Sequence, residues 1–161
     1  MQNGTENQRQ NDLAAMQIAL SEARAAALEG ETPIGAVLTC NGQVIAAAHN
    51  KRECRHDVTA HAEMEVLRLA GKQKGNWRLS DCTLYVTLEP CPMCAGAILS
   101  ARVGRVVFGA KDATTGAMGS VLNLPRFPLG ARPQVEHGVC EQESRALLQD
   151  FFKKRRKEKN S

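Results

Sequence analysis

Two short motifs about thirty residues apart constrain this chain more than anything else in it: His61-Ala62-Glu63 and Pro90-Cys91-Pro92-Met93-Cys94. Cys91 and Cys94 stand three apart, so on a helix both sulfurs share a face, and at a helix start the unpaired N–H groups favour thiolates. With His61 they make three ligands for a soft metal. Zinc held by three protein ligands keeps its fourth tetrahedral position for water, as catalytic rather than structural sites do. The fold therefore has to bring two helix starts together.

Glu63 follows His61 by two residues, which in mid-helix would turn the side chains about 200° apart. They share a pocket only in a first turn, and the Asp57-Val58-Thr59 entry predicts that placement. Glu63 then lies near the metal without ligating it, able to shuttle protons for a zinc-bound hydroxide. Taken singly, each part has an ordinary reading: a redox or incidental cysteine pair, a satisfied histidine, a glutamate complementing a helix dipole.

The 161 residues predict one domain, and a chain that is 43% hydrophobic and 24% charged is neither disordered, collagen-like nor coiled-coil. No apolar run reaches the roughly 18 residues of a membrane span, and the polar start has no secretion signal. The expectation is a soluble cytoplasmic protein with no membrane partner. Its remaining cysteines, Cys40, Cys54, Cys82 and Cys140, read as ordinary thiols.

Residues 1–11 are Asn/Gln-rich and read as a disordered tail before a domain over 12–157. Leu13, Met16, Leu20, Ala23 and Ala27 form one helical face, closed by Gly30. Apolar runs over 34–40 and 43–49, joined by Asn41-Gly42, predict a tight hairpin. Helices are expected over 60–70 and 90–99, and strands over 83–88 and 105–108. A glycine-rich irregular segment spans 109–138. The last helix, 139–157, carries Leu147, Leu148, Phe151 and Phe152 on one stripe.

Of 21 Lys/Arg and 17 Asp/Glu, six and one fall in the run Lys153-Lys154-Arg155-Arg156-Lys157-Glu158-Lys159, leaving 15 against 16 elsewhere. The positive excess lies in the tail. It reads either as a contact for a polyanion or as a solvated end. Lys153, Lys154, Arg155 and Arg156, with Phe151 and Phe152, are the candidate contacts for such a polyanion, nucleic acid among them, although one of the two rings also fits the core stripe.

At all five positions the two motifs match H-x-E followed by P-C-x-x-C, the signature already described for zinc deaminases. Together with Pro33-Ile34-Gly35-Ala36-Val37, Asn50, Thr59 to Met64 and Phe108-Gly109-Ala110-Lys111-Asp112 running on to Ser120, they make residues 12–157 resemble the bacterial tRNA-specific adenosine deaminases of the cytidine-deaminase-like superfamily. The resemblance implies an α/β fold, a three-layer α/β/α arrangement with a five-stranded mixed sheet. It implies a homodimer that binds the tRNA anticodon stem-loop and deaminates the wobble adenosine to inosine. His61, Cys91 and Cys94 would hold one zinc per subunit, Glu63 would transfer protons, and Asn50, Ile34, Ala62, Pro90 and Asp112 would meet the flipped nucleoside. Asp112 equally fits a turn-capping role. Two rivals stand beside this reading: a deaminase of free bases or nucleosides, and a nucleic-acid-binding module with structural zinc.

Overall fold

A computed structural model describes the backbone of residues 2–160 and the side chains of residues 4–160. Five strands form one mixed sheet in the order β2-β1-β3-β4-β5: β1 Gly35–Cys40, β2 Gln43–His49, β3 Cys82–Leu88, β4 Arg105–Ala110 and β5 Gln134–His137. β1 pairs antiparallel with β2 and β3, while β3–β4 and β4–β5 are parallel. The β1–β2 hairpin turns at Asn41 and Gly42, whose φ values of 52° and 78° are the positive pair that this dipeptide favours.

Alternation along the strands assigns the two faces of the sheet. Val37, Tyr85 and Val107 point to one side, against Ala15, Met16 and Ala19 of α1 (Gln2–Leu28). Leu38, Leu84, Val86, Val106 and Phe108 point to the other, where Val66 and Ala70 of α3 (Ala62–Lys74) and Ala95 and Ile98 of α4 (Pro92–Ser100) complete the larger core. α5 (Glu141–Lys159) packs beside α1 against β4 and β3, giving the expected three layers. α1 lies directly on β1 because position 35 is glycine: a Cβ there would fall 1.9 Å from the Ala19 carbonyl oxygen.

One buried ion pair fastens the first layer. Asp12 accepts two hydrogen bonds from Arg105 at 2.8 Å each and one from the Tyr85 hydroxyl at 2.7 Å. A second tie, His49 between Glu22 (2.6 Å) and Glu29 (3.0 Å), holds the end of β2 to α1 and to the turn that follows it.

Several expectations need correction. α1 starts at Gln2, so residues 2–11 are helical rather than disordered; Met1 lies outside the described residues. Once the buried face after Asp12 nucleates the helix, each added residue gains a hydrogen bond, and Gln8 donates to Asp12 at 3.0 Å across one turn. The polar loop after β2 holds the single-turn helix α2 (Arg52–Arg55), and β5 lies within the segment read as irregular. Four residues at a sheet edge, none fully buried, leave no alternation to detect. Cys40 and Cys82 are not ordinary thiols: they face each other in the β1–β3 register, Cα atoms 4.4 Å apart, joined by a disulfide. Cys54 and Cys140 are free. Among the described residues no helix is long and apolar enough to cross a membrane.

Candidate metal centre and substrate cleft

The chain leaves β2 at Asn50 and reaches α3 with His61 as its N-cap; it leaves β3 at Leu88 and reaches α4 with Cys91 as its N-cap. Both residues have extended backbone there, and neither side chain caps its own helix. Both side chains turn instead toward Cys94 in the first turn of α4. His61 Nδ1 lies 3.7 Å from Cys91 Sγ and 3.5 Å from Cys94 Sγ, and all three donor atoms fall within 4.8 Å of one another. Zn–S bonds of about 2.3 Å and Zn–N bonds of about 2.0–2.1 Å at tetrahedral angles demand an N···S edge of about 3.5 Å. The donor set therefore fits zinc in both chemistry and spacing.

The protonation pattern fits as well. The Cys94 thiol, followed by the His61 imidazole, stabilises the Cys91 thiolate and brings its pKa down to about 4 despite burial. Cys94, next to that thiolate and buried, is pushed up. His61 is raised, chiefly through its bond to Cys91. A ligand set sharing protons in this way releases them when a cation replaces them. The other sulfur cluster, Cys40, Asp81 and Cys82, has both sulfurs committed to the disulfide.

Glu63 occupies the first turn of α3, as its spacing from His61 requires, and is only 4% exposed. Burial pushes its carboxyl above the usual range, and the nearby Cys91 thiolate adds to this. A carboxyl with raised affinity for protons is suited to taking one up and handing it on.

These groups open onto a cleft of about 740 Å³. Ile34, Asn50, Ala62, Asp112 and Phe152 line it together with His61, Glu63 and Cys91; Pro90 does not, its carbonyl being used by the Ala117 amide at 2.8 Å. Asn50 accepts from the Arg52 amide at 3.1 Å and donates to the Thr32 carbonyl at 3.4 Å. One N–H and one lone pair of its amide are left over for a ligand. Asp112 has its carboxylate occupied by the Thr114 and Thr115 amides and hydroxyls, which is the turn-capping geometry.

Phe152 lies at the cleft, whereas the Phe151 ring is covered by the Arg155 guanidinium 5.0 Å away. Arg155 also donates to the Gly30 carbonyl at 2.6 Å, so it joins α5 to the end of α1. Lys153, Lys154 and Arg156 are exposed.

Two carboxylates escaped sequence reasoning. Glu31, fully buried, accepts from the Glu53 and Cys54 amides at 2.8 and 3.0 Å and so pins α2 next to Asn50. Glu89, 2% exposed, accepts from the loop after β4. Its place beside Pro90-Cys91 was the only available signal.

The family model for MafB19-like deaminases matches residues 10–156. The chain is 50% identical over 149 residues to the tRNA-specific adenosine deaminase of Bacillus subtilis, covering 91% of each, and 46% identical over 142 residues to that of Agrobacterium fabrum, covering 88% of this chain and 93% of the relative. A solved structure from a study of A-to-I editing by tRNA:A34 deaminases at the wobble position of transfer RNA superposes with a TM-score of 0.82 at 46% identity, over 84% of this chain and 99% of the other. The guanine deaminase of Nitrosomonas europaea superposes at 0.71 with 27% identity, over 86% and 83%.

Proposed function

Because this chain belongs to the MafB19-like deaminases, we propose that it hydrolytically deaminates the wobble adenosine of a tRNA anticodon loop to inosine. The observation that carries this reading is the His61/Cys91/Cys94 cluster opening, with buried Glu63 beside it, onto a cleft large enough for a nucleoside. His61, Cys91 and Cys94 would hold one zinc per chain, and zinc supplies a nucleophile near neutral pH by lowering the pKa of a coordinated water to about 7.

The chain's own residues do the rest. Glu63 takes a proton from the attacking water and passes it to N1 of the adenine as the C6–O bond forms. It then carries the second water proton to the exocyclic amine, the C6–N bond breaks, and ammonia leaves. Water and adenosine become inosine and ammonia. Asn50 offers its spare N–H and lone pair to the base edge, and Ile34 and Ala62 supply the apolar wall. Such chemistry cannot reach a stacked base, so the target is flipped out of a loop.

Lys153, Lys154 and Arg156 extend the cleft mouth toward the phosphates of the stem, and Phe152 offers a ring to the flipped nucleotide or its neighbour. The enzyme works as a homodimer in the cytoplasm, where its substrate is. The guanine deaminase likeness supports a second reading, a free-base substrate, which has no need of a basic helix at the cleft. Incubation with an anticodon hairpin and with free nucleosides and bases, assayed for inosine and ammonia, decides between them: turnover of the hairpin alone is expected.

A further inference from the structure

We propose that Glu89 is a positioning residue for the substrate, tethering loop 112–120 to the segment that carries Cys91 and so fixing one wall of the cleft. This rests on the reading of that cleft as a nucleoside site. Glu89 Oε1 accepts from the Asp112 amide at 3.1 Å and from the Ser120 hydroxyl; Oε2 accepts from the Met118 and Ser120 amides at 3.0 and 3.1 Å. Among the described residues no cation lies within ion-pair distance of it. Three main-chain donors and one hydroxyl take the place of water around a buried carboxylate, and only an acceptor on both oxygens satisfies all four.

Two backbone bonds clamp the same junction. The Glu89 amide donates to the Ala110 carbonyl at 2.9 Å, and the Ala117 amide to the Pro90 carbonyl at 2.8 Å. Gly116 is the complement of the side chain: a Cβ there would lie 2.5 Å from Glu89 Oε2 and from the Asp112 carbonyl. The loop is stiffened internally by the Asp112 turn and externally by Glu89. Its cleft-facing residues, Asp112 to Thr115, are thereby held to β3 and Cys91. A carboxylate buried among loop amides is weak evidence for stability alone, but it specifies one loop position. A cleft wall already held in one position spares a substrate the cost of ordering it on binding.

Glu89→Gln keeps the shape but turns one acceptor into a donor facing donors. In the absence of RNA, amide exchange at Met118 and Ser120 should accelerate about tenfold or more, while zinc content stays at the wild-type value. KM for an anticodon hairpin should rise about tenfold with a smaller change in kcat. Ser120→Ala, which removes a single side-chain donor, should shift both readouts in the same direction by less, and it carries the test if Glu89→Gln does not fold. Unchanged loop exchange in folded Glu89→Gln overturns the proposal, as does loss of zinc with the loop amides still protected. If the wild type leaves the hairpin untouched but Glu89→Gln frees the loop amides, the functional reading falls while the tether stands.

Discussion

His61 Nδ1 and Cys94 Sγ lie 3.5 Å apart although 33 residues separate them in the chain, the spacing of two ligands on a single tetrahedral ion. Metal analysis should find one zinc per chain. His61→Ala, Cys91→Ala and Cys94→Ala should each lose it together with deaminase activity. An active metal-free preparation would contradict the assignment.

Glu63→Gln keeps the buried volume and removes the proton carrier. Zinc should be retained while kcat falls by at least roughly 10²–10⁴, since the residue serves more than one transfer. Equal loss of zinc and activity would make Glu63 a support of the ligand set instead.

The tail should divide into two kinds of cation. Removing residues 153–161 should weaken tRNA binding and reduce the slope of log affinity against log salt by about 0.7–0.9 per lost phosphate contact. Lys153→Ala, Lys154→Ala and Arg156→Ala should each share in that flattening. Arg155→Ala should mainly loosen α5 from α1, because its guanidinium already serves Gly30 and Phe151. Titration of hairpin binding against salt, beside thermal melts, separates the two.

Stability should be lost at both ends of the pH scale through identifiable groups. Burial opposes ionisation of Asp12, but Arg105 and Tyr85 outweigh it and hold its pKa below 3.8. The folded value lies below the unfolded one, so this stabilisation is complete above about pH 4 and disappears as pH falls through the folded pKa. For His49, burial opposes charging, and the bonds to Glu22 and Glu29 prevail, raising its pKa above 6.5. That contribution is complete below pH 6.5 and disappears as pH rises through the folded value. Urea denaturation across pH should show a shallower acid limb for Asp12→Asn and a shallower neutral-to-alkaline limb for His49→Gln.

What could be read in the chain was whatever repeats at short range. The Asn41-Gly42 turn, the spacing of Met16, Leu20 and Ala23 in α1 and the three-residue cysteine spacing are local patterns, and each marks an element of the structure, although Leu13, read with that helical face, is 50% exposed. The His61/Cys91/Cys94 cluster was legible for a different reason: its parts lie 30 and 33 residues apart, but these residue types are rare in that combination. Pairing between distant segments left no such trace. Cys40 and Cys82 meet only because β1 and β3 align in one register. Glu89 and Glu31 work through main-chain amides, which look alike at every position. Arg155 differs from its basic neighbours only by where α5 ends against α1.

The two helix starts at the metal centre have a consequence for how the molecule matures. An N-cap side chain ordinarily secures its helix by about 1 kcal/mol, and both α3 and α4 forgo that bond because His61 and Cys91 face the shared cluster. Main-chain bonds alone close the first turns, from the Glu65 amide to the His61 carbonyl at 3.0 Å and from the Ala95 amide to the Cys91 carbonyl at 2.8 Å. An ion held by His61, Cys91 and Cys94 would replace the two forgone caps with one tie between α3 and α4, so that filling the site and securing both helix starts would be coupled.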